Sequence, residues 1–99
     1  VSGTAPVRDG QTAGNSAYEQ TKVCLEIIKE AIEKAGGTIE DVIRTRMYVT
    51  DISQWVAIGK AHGEVFGSIK PATTMVEVKS LIESDMLVEI EATAIVDES

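Results

Sequence analysis

The sequence predicts one α+β domain in which two helices cover one face of a mostly antiparallel sheet. Apolar residues recur with helical spacing over 16–36 and 54–67, and they alternate as in strands over 42–50 and 86–96. These segments follow the order strand, helix, strand, helix, strand, strand. The chain has 99 residues, 43% of them hydrophobic and 25% charged, which excludes a disordered chain or a multidomain enzyme.

The first helix is predicted to follow an opening segment, 1–6, that is typical of the end of a strand. Ser16 and Glu19 form a capping box at its start, and Gly36 and Gly37 end it because glycine adopts the left-handed conformation without strain. The side expected to be buried carries Val23, Cys24, Ile27, Ile28, Ala31, Ile32 and Ala35.

A short turn over 38–41 leads to a predicted strand and then to the second helix. The strand is expected to place Ile43, Thr45, Met47 and Val49 together on one face, with Arg44, Arg46, Tyr48 and Thr50 on the other. Asp51 or Ser53 caps the helix, Gly67 ends it, and its apolar side is Trp55, Ile58, Val65 and Phe66. Gly59 and Gly63 lie one turn apart in this helix, which favours close packing against another element.

Two further strands follow the turn at Lys70 and Pro71. The last one is expected to bury Val88, Ile90, Ala92, Ala94 and Val96 and to present Glu89, Glu91, Thr93 and Ile95 on its other face. That second sheet face mixes polar and apolar groups. A face of this kind is often covered by another subunit.

Charge and composition restrict the function classes. The formal charge is −7, which disfavours nucleic acid and anionic membranes as partners. With one cysteine and one histidine the chain forms neither an internal disulfide nor a Cys/His zinc cluster. It has no apolar stretch long enough to span a bilayer, and we expect a reducing, cytoplasmic location. Oligomerisation is therefore the expected support for so small a core.

Only single residues are candidates for chemistry, since no phosphate loop, nucleophile elbow or metalloprotease helix occurs. Glu89 and Glu91 point to one face, either as a pair in which one carboxyl has a raised pKa or as two solvated carboxylates. His62 is either a satisfied core histidine or a group that titrates near neutrality. Arg44 and Arg46 either hold a carboxylate or pair with the two glutamates.

Four segments together resemble the RidA (YjgF) family: Val1-Ser2-Gly3, the helix from Gln20 to Gly36, RMYVTDISQW, and PATTMVEV with LVEIEATAIV. The resemblance implies a chorismate-mutase-like α+β fold and a homotrimer with a small-molecule metabolite in clefts between subunits. It implies hydrolysis of reactive enamines and imines, such as 2-aminoacrylate, without a cofactor or metal. The family also has an N-terminal strand, which would precede Val1 and is not in this sequence.

The resemblance assigns the predicted site residues. Glu89 matches the glutamate that positions the attacking water, and Ser2 and Gly3 match the family's Ser-Gly at the cleft. Thr73 stands where deaminating members have an arginine that holds the substrate carboxylate, so 2-imino acids are expected to bind weakly. The family often has an asparagine where this helix has Gly59 and an aromatic residue near His62, and the resemblance implies that Gly59 and His62 contact the substrate. The alternatives are a non-catalytic metabolite-binding trimer and, disfavoured by the charge, a ribonuclease or translation inhibitor.

Overall fold

A computed structural model describes residues 1–96. Its two helices are α1, Ala17–Lys34, and α2, Trp55–Phe66. The strands are β1, Val7–Arg8; β2, Gln11–Thr12; β3, Val42–Val49; β4, Ala72–Glu77; and β5, Val88–Ala94. Short 3₁₀ turns at Ile39–Asp41 and Ile52–Gln54 precede β3 and α2. The two-helix α+β class predicted from the sequence is confirmed.

The main sheet has the strand order β4-β3-β5. β5 runs antiparallel to β3, whereas β4 runs parallel to it, so the sheet is mixed. The parallel pairing follows from α2, since a helix between two neighbouring strands returns the chain to its starting edge. The first residues extend the sheet beyond β5: Thr4 and Ile90 exchange both backbone hydrogen bonds, at 2.7 and 3.0 Å, as the strand-end prediction for 1–6 requires.

The caps of α1 lie at the predicted residues, but the second bond of the capping box goes to the N–H of Asn15 and not to that of Ser16. The Ser16 hydroxyl accepts from the backbone N–H of Glu19 at 3.1 Å, while the Glu19 carboxylate accepts from the N–H of Asn15. At the other end Gly36 has φ +92°, and the N–H of Gly37 reaches the carbonyl of Ile32 at 2.9 Å. These bonds form the Schellman motif that ends many helices.

Four packing predictions are wrong. Ala35, expected on the buried side of α1, is the exposed C-cap residue beyond its last turn. Ile43 is 48% exposed because the β3–β5 register shifts between Val42 and Arg44, and Val42 takes the buried position instead. Trp55, in the first turn of α2, is 60% exposed. A Cβ placed on Gly59 or Gly63 would meet nothing within 4 Å, so these glycines do not mediate close packing within the described chain.

The sequence reasoning also missed the small hairpin formed by β1 and β2. Its two turn residues, Asp9 and Gly10, both have positive φ, 52° and 77°. Asp-Gly between strand residues is a strong signal for a two-residue hairpin turn, and it was present in the sequence.

Gln20 connects α1 to the loop before β5, and its removal should destabilise the fold. Its side chain is 2% exposed, donates to the carbonyl of Asp85 at 2.9 Å and accepts from the N–H of Leu87 at 2.7 Å. Gln20→Leu leaves both backbone groups without a partner, so we expect a loss of about 2 kcal/mol in unfolding free energy. Urea denaturation measures it, with the exposed Gln54→Ala as control; equal midpoints for the two variants would contradict the assigned role.

Candidate active site

Glu89 lies on the sheet face that the helices leave uncovered. Register places it beside Tyr48 of β3, which in turn lies beside Val76 of β4, so these three side chains share one face. The helices cover the opposite face, where Val88 and Ile90 are fully buried. Within residues 1–96 no side-chain hydrogen bond or ion pair engages the Glu89 carboxylate.

Gly3 forms the wall against which the Glu89 carboxylate rests. A Cβ placed on Gly3 would lie 2.9 Å from Oε2 of Glu89, so the close approach depends on the missing side chain. Backbone bonds fix this contact: Val1 and Ala92 exchange hydrogen bonds at 2.6 and 3.0 Å beyond the Thr4 bridge. The N-terminal segment therefore advances three residues, from Val1 to Thr4, where β5 spans only two, from Ala92 to Ile90. The extra residue forms a β-bulge at Ser2 and Gly3.

Glu91, the other carboxylate on this face, is bound by two neighbouring side chains. It accepts from Nη1 of Arg46 at 3.0 Å and from the Tyr48 hydroxyl at 2.9 Å. The Arg46 hydrogen bond, followed by that from Tyr48, holds the pKa of Glu91 below its ordinary value. The alternative in which the pair raises the pKa of one carboxyl therefore does not apply to Glu91. Arg46 pairs with Glu91 across the sheet, which is one of the two predictions made for Arg46.

Cys24 packs beneath this region as a small buried residue. Its thiol is within 3.4 Å of the Thr4 carbonyl. Burial, with a smaller contribution from the nearby Glu89 charge, raises the pKa of the Cys24 thiol to about 12. A thiol that stays protonated is a poor nucleophile, so the structural interpretation of Cys24 fits its surroundings.

A second polar group lies on the covered face, at the β4 edge. The Oγ1 atoms of Thr73 and Thr45 are 3.1 Å apart, and Oγ1 of Thr45 is 2.9 Å from Nε2 of His62. Thr45 is fully buried and His62 is nearly so, with its ring centroid 4.7 Å from that of Phe66. Sequence reasoning did not select Thr45, although a hydroxyl on a predicted core face requires a partner.

The burial of His62 makes stability depend on pH. Burial lowers the pKa of the imidazole below that of the unfolded chain, so the unfolded state binds the proton more tightly. The neutral imidazole of His62 therefore makes its full contribution to the free energy of unfolding above pH about 6.5. This contribution is lost as the pH falls toward the folded-state pKa.

We therefore expect wild type to lose more unfolding free energy than His62→Gln between pH 7.5 and 5. Glutamine retains an N–H donor for Thr45 and does not titrate. Urea denaturation at both pH values measures the loss of unfolding free energy in each protein. The contributions of carboxylates that titrate in both proteins cancel when the two losses are compared. Parallel pH profiles would exclude a titrating His62.

The predicted site residues form two separate groups within one chain. Glu89, Gly3 and the adjacent Ser2 lie at the β5 edge, and Glu89 faces the uncovered side. Thr73 and His62 lie at the β4 edge on the covered side. The two groups are roughly 10 Å apart along the strands and about 10 Å apart across them. Gly59 is exposed on α2 and contacts neither group.

Comparison with known proteins assigns the fold to a family. The family model described as Endoribonuclease L-PSP matches residues 1–96. A crystal structure of a YjgF/YER057c/UK114 family member from Mycobacterium tuberculosis superposes with a TM-score of 0.90 at 47% identity, covering 97% of this chain and 76% of that one. The chain belongs to the RidA (YjgF) family.

Two further proteins show how far the likeness of this RidA-family chain extends. An uncharacterized protein of Streptomyces coelicolor is 40% identical over 95 residues, covering 95% of this chain and 71% of that protein. A structure of a conserved Rid family protein from Yersinia pestis has a TM-score of 0.89 at 32% identity, covering 96% of this chain and 77% of that one. The RidA-like fold predicted from the sequence is therefore confirmed.

The surface of this RidA-family chain has a cavity of about 540 Å³ between the β1–β2 hairpin and residues 82–86. None of its lining residues belongs to the predicted site. Among residues 1–96 no three His, Cys, Asp or Glu side chains are placed to hold a metal ion, and no helix there is long and apolar enough to cross a membrane.

Proposed function

We propose that this RidA-family chain hydrolyses reactive imines and enamines in a cleft between copies of itself, with Glu89 as the group that activates water. One observation carries the proposal: the Glu89 carboxylate rests against Gly3 without a partner in residues 1–96, while Glu91 beside it is paired. A carboxylate that no side chain engages is available to accept a proton.

The reaction moves two protons from oxygen to nitrogen, each by way of Glu89. A water oxygen bonds to the imine carbon while Glu89 accepts a water proton, and the C=N π electrons move to nitrogen. Glu89 gives this proton to the nitrogen, which forms the carbinolamine. Glu89 then accepts the hydroxyl proton and gives it to the amine nitrogen as the carbonyl forms and the C–N bond breaks. The products are a carbonyl compound and ammonia. An enamine enters the same sequence after its β-carbon gains a proton and its nitrogen loses one, which gives the imine.

The cleft requires more than one copy because each chain carries its two groups at opposite edges. A head-to-tail contact between the β4 edge of one copy and the Glu89 edge of the next brings them together, and a rotation of one third of a turn between copies closes such contacts into a ring of three. The uncovered face carries exposed apolar side chains, among them Val76 and Ile95, at 41% and 65%. We propose the homotrimer implied by the family resemblance, with a mass in light scattering three times the chain's 10.6 kDa.

The test of the activity is hydrolysis of 2-aminoacrylate generated in the cuvette. We expect release of pyruvate and ammonia above the spontaneous rate, in proportion to the protein concentration. A rate equal to that of buffer with both 2-aminoacrylate and its carboxamide, 2-aminoacrylamide, at protein concentrations where light scattering shows the trimer, would contradict the deaminase proposal.

A non-catalytic metabolite-binding trimer is the second candidate. Thr73 favours it, because a threonine hydroxyl does not supply the charge with which an arginine holds a carboxylate substrate in place. Thermal shift against a metabolite panel tests it, since a ligand of the native state raises the melting temperature. Binding without turnover would select this candidate over the enzyme.

Ribonuclease activity, which the name of the family model describes, is the least favoured of the three. The charge of −7 repels phosphates, and Arg46 on the uncovered face is already paired with Glu91. We expect no cleavage of single-stranded RNA under the conditions of the imine assay.

A further inference from the structure

We infer that Arg46 is a positioning residue for the proposed reaction: by pairing with Glu91, it compensates a negative charge that would otherwise favour protonation of Glu89. The inference rests on the proposed function, in which the Glu89 carboxylate must be free of a proton to accept one from water. Arg46 bonds to Glu91 and not to Glu89, so it acts on the proposed base through the neighbouring carboxylate.

Glu89 and Glu91 are close enough to influence each other's protonation. They lie two residues apart on β5 and point to the same face, opposite to the buried Val88 and Ile90. Two steps along a strand separate side chains by about 7 Å. Two like charges at this separation disfavour each other's ionised form, and the first proton taken up on acidification belongs to the pair. An uncompensated Glu91 would therefore help to hold a proton on Glu89.

Arg46 compensates this charge at short range. The β3–β5 register places it directly opposite Glu91, and its Nη1 lies 3.0 Å from Oε1 of that carboxylate. Its hydrogen bond is the first of the causes that hold the pKa of Glu91 below its ordinary value, so Glu91 stays ionised and paired. Glu89 then faces two opposite charges side by side, whose combined field falls off faster with distance than that of one charge. Arg46 is 43% exposed, so water weakens this effect without removing it.

The other titratable groups around Glu89 do not perform this role. The hydroxyl of Tyr48 is bound to Glu91, and this bond, followed by burial, raises the pKa of Tyr48, which stays uncharged. Cys24, beneath the carboxylate, has its pKa raised to about 12. The nitrogen of Val1 donates to a backbone carbonyl of β5. The β4 residues that share the uncovered face carry no charge; they are Ala72, Thr74 and Val76.

Arg44 is the second guanidinium on this face, and it supplies a matched comparison. It lies opposite Thr93, four residues from Glu89 along β5, which is about 14 Å. Within residues 1–96 it makes no ion pair, and its charge is the smallest of the causes that lower the pKa of Glu91. Charges separated by more than about 8 Å of salt solution are largely screened. Arg44 therefore shares the strand and face of Arg46 without its bond to Glu91.

The pH dependence of kcat/KM for one imine substrate, measured on the intact protein, tests the inference. The rate should fall on acidification as Glu89 takes up a proton, and we expect Arg46→Met to move the midpoint of this fall upward by about 0.5 pH unit or more. Arg46→Lys, which keeps the charge, should stay within about 0.2 unit of wild type. Arg44→Met should move the midpoint less than half as far as Arg46→Met. The pH dependence of the substrate itself is common to all variants.

Rescue by a second substitution distinguishes this role from a structural one. In Arg46→Met combined with Glu91→Gln, both charges of the pair are absent, and the midpoint should return to that of wild type or lower. A loss of packing at Arg46 would not be repaired by changing its partner. Three results would overturn the inference: an unchanged midpoint in Arg46→Met, an equal shift in Arg44→Met, or no return in the double variant.

The protonation of Glu89 can also be followed without substrate, which separates this inference from the proposed function. The NMR signal of its carboxyl carbon, assigned by its absence in Glu89→Gln, gives the midpoint directly. The expected order of midpoints without any hydrolysis would keep the effect of Arg46 on Glu89 and contradict the deaminase proposal. Hydrolysis whose acid midpoint does not respond to Arg46→Met would keep the proposed function and remove the inference.

Discussion

Glu89→Gln is expected to reduce imine hydrolysis by about 100-fold or more, the contribution typical of a positioned general base. Glutamine preserves the size of the side chain and its contact with Gly3, but it does not accept a proton from water. The fold should be unaffected, since no side-chain partner of Glu89 is lost within residues 1–96. The measurement is kcat with 2-aminoacrylate or a stable imine.

Glu91→Gln is the matched control for this prediction. It lies two residues away on the same strand and face, and it is bound to Arg46 and Tyr48. We expect its activity to stay within about threefold of wild type and its unfolding free energy to fall modestly as the ion pair is lost. Equal losses of activity in the two variants would indicate that the strand as a whole, and not the Glu89 carboxylate, supports turnover.

Gly3→Ala is expected to lower kcat by about 10- to 100-fold while stability changes little. The new Cβ would stand 2.9 Å from Oε2 of Glu89, and the carboxylate must move to relieve the contact. Moving the end of a flexible side chain costs little folding energy, but a misplacement of about 1 Å is sufficient to lose much of catalysis. Activity and urea denaturation measured together separate these effects.

The control for Gly3→Ala is Gly63→Ala, where the added methyl meets nothing within 4 Å in the chain. Alanine in a helix is favoured over glycine, so this variant should be more stable by up to about 1 kcal/mol with unchanged activity. Unchanged activity in Gly3→Ala as well would mean that Glu89 does not need its position against the backbone of residue 3.

Local signals predicted much of the fold. The Ser16 and Gly36 caps set the ends of α1 to within about a residue, because capping depends on backbone geometry and one side chain. The alternation of apolar and polar residues identified the buried face of β5, since successive side chains of any strand point to opposite faces of the sheet. Ile43 and Trp55 were misplaced because burial also depends on a bulge and on what lies opposite, which no local pattern contains.

The candidate site was predictable as residue types and not as an arrangement. Sequence spacing placed Glu89 and Glu91 on one face, but it did not show that Arg46 and Tyr48 bind only the second of them. The contact of Gly3 with Glu89 joins residues 86 positions apart, and it depends on the bulge beside β5. Whether Gly59 and Ser2 contact a ligand stays a prediction, as do the roles of Glu89, Thr73 and His62.

β4 is the most weakly held strand of the sheet. Within the described residues 1–96 it pairs only with β3, and of its six residues only Met75 is partly buried. Strands held in this way open locally far more often than the whole domain unfolds. Each opening separates Thr73 from Thr45 and admits water to His62, so the accessibility of this buried imidazole is governed by fraying of an edge strand. Association along that edge would then slow the opening and shield the histidine from solvent.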